Sequence, residues 1–428
     1  MEQSLLAASS GINANQTWLD AIGNNIANSN TTSYKQEEVG FSDLLAEQLT
    51  PAAAPTATNG GLNPASVGAG VQVGTVVEDQ TQGSIQQTNV PTDLAIQGGG
   101  YLVASQGGQV FYTRDGQLSV DATGQLTAPN GALIQGWEAS SSGAINTNAP
   151  LTNLTIPTAA TLPATATSAI TLGGNLPAGG TSPVSFTYNA YDSLGDPVPV
   201  TVTFTPSTTT PDTWTMQATV PSSSGTPTNL FSTAPTVTFS SSGTLKSISG
   251  VTANSNGSYT VPVTTMPGAP YQFATGATLS IDFPAPSSSQ AVTQDAGSQS
   301  VQGTSQNGSA AGTLESYSIG GNGIITGSFS NGQTQSIGQI ALATFPNAQG
   351  LLSTGNLMYQ VSANSGQPNV TTPGSGKAGT LIGGALEASN VNLSAQLTDL
   401  IVAQEAYQAN SKVITTSDTA IQSLLQVP

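Results

Sequence analysis

Four groups of residues have types and spacings that could support chemistry. Asp192 and Asp196 bracket a Ser-Leu-Gly turn, and Ca²⁺ collects clustered carboxylate and carbonyl oxygens. Two carboxylates are few for such a site, and the stretch reads better as a β-turn between strands. Glu78-Asp79, Glu138 and Glu315 could furnish the carboxylate pair of a glycosidase. Sugar clefts are usually lined by several aromatic rings, and the only Trp residues are Trp18, Trp137 and Trp214. Gly98-Gly99-Gly100 has the composition of a phosphate-cradling loop, but no P-loop Lys or helix follows it. A tight turn between strands accounts for it. Asn24, Asn25 and Asn28 are amides on an apolar helix. They could bond across subunits and fix register, as a buried Asn does in a coiled coil; a frayed helix end is the competing account.

Composition removes most remaining chemistry. The chain has no Cys and no His, so no nucleophile can be paired with an imidazole base and no ordinary zinc site can form. No catalytic, metal or cofactor site is expected. The five cations, Lys35, Arg114, Lys246, Lys377 and Lys412, are scattered singly against 22 acidic residues, for a net charge of −17. Nucleic acid needs clustered positive charge to displace counterions, and anionic lipid needs it too, so neither is expected as a partner. No run approaches the ~18 apolar residues of a membrane-spanning helix. The first residues, Met-Glu-Gln-Ser-Leu-Leu, lack the basic start and apolar core of a secretory signal, so export would use another route.

What positions these residues is a β-rich chain with helical ends. Leu5, Ile12, Leu19 and Ile26 recur every seven residues, with Ala8 and Ile22 adding to the stripe, which predicts a helix over 1–28. Leu393, Leu400, Tyr407, Ile414 and Ile421 repeat the pattern, widened by Leu397, Ile401, Ala403, Leu424 and Leu425. They predict a second helix over 393–425, with Asn392 as N-cap. A helix of about 25 residues is ~38 Å long and gains little alone in water. Its stripe needs a partner, and the helix at the other end is the obvious one. Leu6, Trp18, Val391, Val402 and Val413 lie off the heptad line, and charges on both helices are few, so burial among further neighbours is expected.

Between the helices, short β-branched runs alternate with turn formers. Gly107-Gly108, Asp115-Gly116, Thr123-Gly124 and Asn130-Gly131 separate several runs in 71–137, and Asp-Gly and Asn-Gly are hairpin signals. Val184-Ser-Phe-Thr-Tyr188 and Val198-Pro-Val-Thr-Val-Thr-Phe204 alternate cleanly. Residues 286–312, mostly Ser, Gln, Gly and Ala, read as a linker. The expected class is mainly β with paired, coiled-coil-like terminal α-helices and two nested β domains. Its divisions are 1–49 (first helix), 50–70 (arm or linker), 71–145 (inner β domain, first half), 146–288 (inserted outer β domain), 289–375 (inner β domain, second half) and 376–428 (second helix).

Ile22-Gly-Asn-Asn-Ile-Ala-Asn28, running on to Ser33-Tyr34-Lys35, resembles the N-terminal signature of bacterial flagellar axial proteins. Gly384-Ala-Leu-Glu-Ala-Ser-Asn-Val-Asn-Leu393 and Ile401-Val-Ala-Gln-Glu-Ala-Tyr-Gln-Ala-Asn410 resemble the matching C-terminal one. Asp93–Leu102 and Phe111–Leu118 are similar to segments shared by rod and hook proteins, and Tyr191–Phe204 to the outer hook domain. Gly338–Phe345 resembles the returning inner strand. The likeness is weakest at 140–180 and 205–270.

Among axial proteins, the hook subunits fit best because of the inserted middle domain. The resemblance implies a homopolymer: a curved, hollow extracellular tube whose inner region is lined by the terminal helices. That tube passes motor torque from rod to filament as a universal joint. The implied partners are further copies, the rod, the hook cap, the hook–filament junction proteins and the type III export apparatus. The implied polymerisation surface comprises Leu5, Ile12, Leu19, Ile22, Asn24, Asn25, Ile26, Asn28, Leu393, Leu397, Leu400, Ile401, Tyr407, Ile414, Ile421 and Leu424. A distal rod subunit is the alternative. A secreted β-rich adhesin fits worse, having no use for heptads at both ends.

Sparse charge suggests the hypothesis that contacts between copies rest on apolar surface and hydrogen bonds, in adaptation to an acidic exterior where carboxylates are protonated. The polymer is then expected to persist at pH 3. Sedimentation showing dissolution near pH 3 but integrity at pH 7 would overturn the idea.

Overall fold

The computed structural model describes residues 2–52, 54–55, 60–157 and 161–425. It comprises two compact units. One consists of Met1–Pro157, Tyr317–Gly327 and Gln335–Pro428; the other of Thr158–Ser316 and Ser328–Thr334.

In the first unit, helix α1 spans Glu2–Ala27 and helix α2 spans Leu393–Leu425. Asn392 caps α2 as expected, its Oδ1 accepting from the backbone N–H groups of Ser394 and Ala395 at 3.1 and 3.2 Å. After α1 the chain enters a two-stranded ribbon, Glu37–Asp43 against Val71–Glu78. Trp18 of α1 meets Phe41 of this ribbon edge-to-face, with ring centroids 5.8 Å apart. The short strands Glu47–Thr50 and Ala65–Val67 pair antiparallel, the first running into the arm expected at 50–70 and the second lying within it.

The main sheet of this unit is built around Tyr101–Gln106. That strand pairs with Gln109–Thr113, Leu133–Glu138 and Leu342–Thr344. Gly107 and Gly108, with φ of 60° and 81°, close its hairpin, since a two-residue turn of this hand needs positive φ at both positions. Tyr101, Tyr112, Trp137 and Tyr359 are buried together. Their edge-to-face contacts include Tyr101–Tyr359 at 5.6 Å and Tyr112–Phe345 at 4.8 Å.

Asp115-Gly116 departs from the hairpin expectation. The flanking runs Gln109–Thr113 and Ser119–Val120 do not pair with each other. Gly116 instead lies against the backbone: a Cβ there would sit 1.6 Å from the Leu94 carbonyl oxygen, and that carbonyl's own residue donates its N–H to Gly116 O at 2.9 Å. The glycine is needed for close approach, not for turn conformation.

The second unit is a β-sandwich. Ala169–Pro177 leads one sheet, parallel to Ser280–Phe283 and Val292–Asp295 and antiparallel to Gln302–Gln306. The other sheet runs in the order Val184–Tyr191, Pro197–Pro206, Thr213–Val220, Thr236–Phe239, Leu245–Ile248. Val198, Val200, Val202 and Phe204 all face inward, the period-2 pattern of a half-buried strand. The two sheets share one core, in which Phe204 meets Phe283 edge-to-face. Residues 286–312, expected to be a linker, supply two of these strands. Their polar side chains hid the pairing, because the ladder uses main-chain groups. Asn175 holds the connection, accepting from Asp295 N–H at 2.7 Å and donating to the Gly297 carbonyl at 3.2 Å.

The first unit is clasped by a buried charge cluster. Lys35 Nζ donates to Glu387 Oε1 at 2.7 Å and to the Thr81 carbonyl at 2.7 Å. Arg114 Nη2 reaches Glu387 Oε2 at 3.3 Å and the Gly98 carbonyl at 3.0 Å. The Gly83 N–H also donates to Glu387 Oε1, at 2.9 Å. Burial of Lys35 pushes its pKa down, partly offset by the bond to Glu387. Removing one partner of such a cluster strands the others. Glu387→Ala is expected to cost about 3–5 kcal/mol, seen in urea unfolding of the chain. A loss below about 1 kcal/mol would show that the cluster is not structural.

Candidate functional site

Asp192, Asp79 and Glu78 are taken up in local hydrogen bonds. Asp192 Oδ1 accepts from the N–H groups of Leu194 and Asp196, and Oδ2 from Gln272, each at 2.9 Å. Its oxygens serve a turn, as the sequence favoured. Asp79 binds the N–H and hydroxyl of Thr81. Glu78 accepts from Tyr359 Oη at 2.8 Å. Glu138 and Glu315 are exposed. Among the described residues no group of three or more His, Cys, Asp or Glu could hold a metal ion.

What stands out is the surface of the terminal helices. They pack against each other antiparallel: Asn25 bonds Gln396, and Gly11 faces Asn410, so 14 residues along α1 match 14 along α2. The seam is made of small and polar side chains. Ala8, Gly11, Ala14, Ala21, Ile22 and Asn25 are buried on α1. On α2, Gln396, Ala403 and Ser417 are buried, and with Asn410 they recur every seven residues. Small residues let the backbones come close, which leaves the bulky ones outside.

Hence the stripe that the sequence offers as a pairing surface is mostly not the seam. Leu393 and Leu397 are each 46% exposed, Ile401 60%, Val402 51% and Leu6 61%. Tyr407 and Val413 are exposed as well. Leu5, Ile12, Leu19, Ile26, Leu400, Ile414 and Ile421 are half-buried. Of the expected surface residues, Ile22 and Asn25 are occupied inside the chain, and the side chain of Leu424 lies outside the described residues. Among the described residues no helix is long and apolar enough to cross a membrane.

The asparagines divide. Asn25 is buried and fully satisfied: its amide donates to Gln396 Oε1 (3.0 Å) and the Glu37 carbonyl (2.9 Å), and its oxygen accepts from Tyr34 Oη (3.1 Å) and Glu37 N–H (2.8 Å). It fixes register, but between the two helices of one chain. Desolvation, with Glu37 and Glu78 nearby, pushes the Tyr34 hydroxyl pKa up, keeping it a donor. Asn24 is exposed and donates to Glu37 Oε1 at 3.1 Å; Asn28 turns back to Asn24. The Glu387 cluster and the small-residue heptad escaped sequence reasoning. Their signals were a Lys and a Glu inside the two terminal signatures, and the period of Gln396, Ala403, Asn410 and Ser417.

Gly11 sharpens the seam. Gly inside a helix ordinarily costs about 1 kcal/mol relative to Ala. Here a Cβ would lie 2.8 Å from Asn410 Nδ2 and 3.0 Å from its Cγ, and that amide is held by the Ala406 carbonyl. Gly11→Ala is expected to lower the free energy of unfolding, and to raise it in an Asn410→Ala background by up to about 1 kcal/mol, read by thermal or urea unfolding. Equal effects in both backgrounds would show that the two positions do not touch.

Comparison with known proteins covers the same regions. Residues 5–35 match the flagella basal body rod protein family, 95–173 the flagellar hook protein FlgE/F/G D1 domain, 161–309 the flagellar basal body protein FlaE D2 domain, and 382–427 the flagellar basal body rod FlgEFG C-terminal family. The flagellar hook protein FlgE of Treponema pallidum is 35% identical over 464 residues, covering 100% of both chains. That of Escherichia coli is 34% identical over 435 residues, covering 98% of each. The basal-body rod protein FlgG of Bacillus subtilis is 25% identical over 428 residues, covering 100% of this chain and 99% of its own.

Proposed function

We propose that this chain, which belongs to the flagellar hook protein family, is the structural subunit that polymerises helically into the hook, the curved extracellular tube joining rod to filament. It performs no catalysis. One observation carries the mechanism: small and polar side chains meet between the paired helices, while Leu6, Leu393, Leu397, Ile401, Val402 and Val413 are exposed. A folded chain exposes single apolar residues without consequence. A row of Leu393, Leu397, Ile401 and Val402 on one helix is different, because neighbouring copies would remove it from water. The interface proposed is that row with Leu6, Tyr407 and Val413, and with the half-buried Leu5, Ile12, Leu19, Ile26, Leu400, Ile414 and Ile421 at its margins. Asn24 and Asn28 sit where they can bond a neighbour.

The β units form the outer layers in this reading and carry the torque-bearing contacts. Rod, hook cap, hook–filament junction proteins and the type III export apparatus are the proposed further partners. The hook reading is preferred to the rod reading because identity to the hook protein of Treponema pallidum is 35%, and to the rod protein of Bacillus subtilis 25%, over whole chains.

The test is assembly of Leu397→Asp/Ile401→Asp. Neither residue is in the seam, so the monomer should keep its helix content and melting temperature. Losing the burial of two such side chains, about 1.5–3 kcal/mol each, raises the critical concentration by at least about a hundredfold. Electron microscopy should show curved tubes for the parent chain and none for the variant. Tubes formed equally by both would refute the interface, and straight filaments from the parent would return the rod reading.

A further inference from the structure

The triple-glycine turn that resembled a phosphate loop without its lysine lies in the fold against a second turn, which bears Lys377. Gly98, Gly99, Gly100, Tyr101, Arg114, Phe345 and Lys377 line an open notch of about 390 Å³, with Gln80 and Gln82 at its edge. The turn bearing Lys377 is pinned onto the glycines: Gly379 N–H donates to the Gly99 carbonyl at 2.7 Å. A Cβ on Gly99 would sit 3.1 Å from the Lys377 carbonyl oxygen.

We infer that this notch is a carboxylate receptor, and that its occupant is an acidic side chain of a second copy of this chain. Three observations converge. First, two of the chain's five cations line this one cavity. Lys377 is exposed and makes no ion pair among the described residues. Behind Arg114, Glu387 is shared with Lys35, so two cations face one carboxylate and a positive charge is left over.

Second, donors are unfilled. The Gly99 and Gly100 amides donate to no acceptor among the described residues. Gly98 N–H is taken by Gln82 Oε1 at 3.0 Å. Arg114 Nη1 has one long contact, to the Gly100 carbonyl at 3.4 Å, which leaves it an N–H to give. Gly98 and Gly100 hold positive φ, 107° and 116°, a backbone that glycine adopts far more readily than other residues.

Third, the partner is defined by charge. A polymer of chains each carrying −17 repels itself unless some carboxylates find cations on neighbours. Lys35 and Arg114 are committed to Glu387, so few cations remain. Lys377 is the free one that sits in a concave, aromatic-walled site. Tyr101 and Phe345, in edge-to-face contact at 5.8 Å, offer apolar wall to the methylene carbons of an arriving Asp or Glu. Glu78, the other carboxylate near this layer, is bonded to Tyr359 and Gln80 and does not line the notch.

The inference rests on self-assembly, and the experiment separates the two. Sedimentation would give the critical concentration of wild type, Lys377→Glu and Lys377→Arg at several NaCl concentrations. The expected result is a rise of about tenfold or more for Lys377→Glu and no more than about twofold for Lys377→Arg, with melting temperatures unchanged because Lys377 is exposed. Salt screens the proposed pair as well as the repulsion between chains, so the ratio of the Lys377→Gln to the wild-type critical concentration should shrink as salt rises. A wild type that never polymerises fails the assembly reading itself. If wild type polymerises and Lys377→Glu matches it, the notch proposal alone is overturned. If inorganic phosphate stabilises the dissociated wild type but not Lys377→Gln, while assembly ignores Lys377→Glu, the notch takes small anions and not a second copy.

Discussion

The buried carboxylate of Glu387, held between Lys35 and Arg114, is the constraint on which the architecture of the first unit depends. It joins residues 352 positions apart in sequence. Lys35 follows α1 by eight residues, and Glu387 precedes α2 by six. Fixing these two side by side means that the chain leaves α1 and enters α2 at one place. The helices then run from a common point and must lie antiparallel. Asn390 reinforces the clasp, accepting from Gln36 N–H at 2.8 Å and donating to the Asp79 carbonyl at 2.8 Å. A buried ion cluster is poor evidence of net stability, since desolvation opposes the attraction. Its value here is specificity: apolar groups would fill the space without dictating which strands meet.

With direction set by the clasp, the seam decides what the helices present. Close approach at Gly11 and Asn410, with Ala14, Ala21 and Ala403 buried, goes with Leu6, Leu393, Leu397, Ile401 and Val402 left exposed. A seam of leucines would have stabilised the monomer more and left less to bind a neighbour. The observed division does the reverse. The pair is held by a buried amide, Asn25 with Gln396, and by close contact, while apolar area is kept outside.

Much of this was legible in the sequence. Heptads at both ends gave the two helices, and Asn392 its cap, because each depends on a few adjacent residues. The alternation from Val198 to Phe204 gave its strand for the same reason. What failed was long-range. The stripe of Leu393, Leu397 and Ile401 was visible, but large apolar residues advertise burial without saying against what. The true seam of Gln396, Ala403, Asn410 and Ser417 has almost no hydrophobic signal. Asp115-Gly116 looked like a hairpin because Gly served conformation in the usual examples, whereas here it makes room for Leu94. The strands Val292–Asp295 and Gln302–Gln306 read as linker because their pairing lives in the main chain. Lys35 and Glu387 could not be matched, since nothing local links them.

The buried acids also set how the folded chain answers protons. Burial raises the pKa of Asp115, and burial raises that of Glu78. A carboxyl with a raised folded pKa binds its proton in the folded state before the unfolded chain does. Acidification through that window, from the raised value down to the ordinary carboxylate range, therefore favours the fold. Asp192 works in the opposite sense. Burial opposes its charge, but the N–H groups of Gln272, Asp196 and Leu194 outweigh that and hold its pKa low, so its contribution is lost as pH falls through the lowered value. The two groups lie in different units. Protonation of Glu78 and Asp115 on mild acidification therefore favours the fold of the first unit, while in stronger acid the loss of charge at Asp192 works against its turn in the second, as it does at Asp121 in the first.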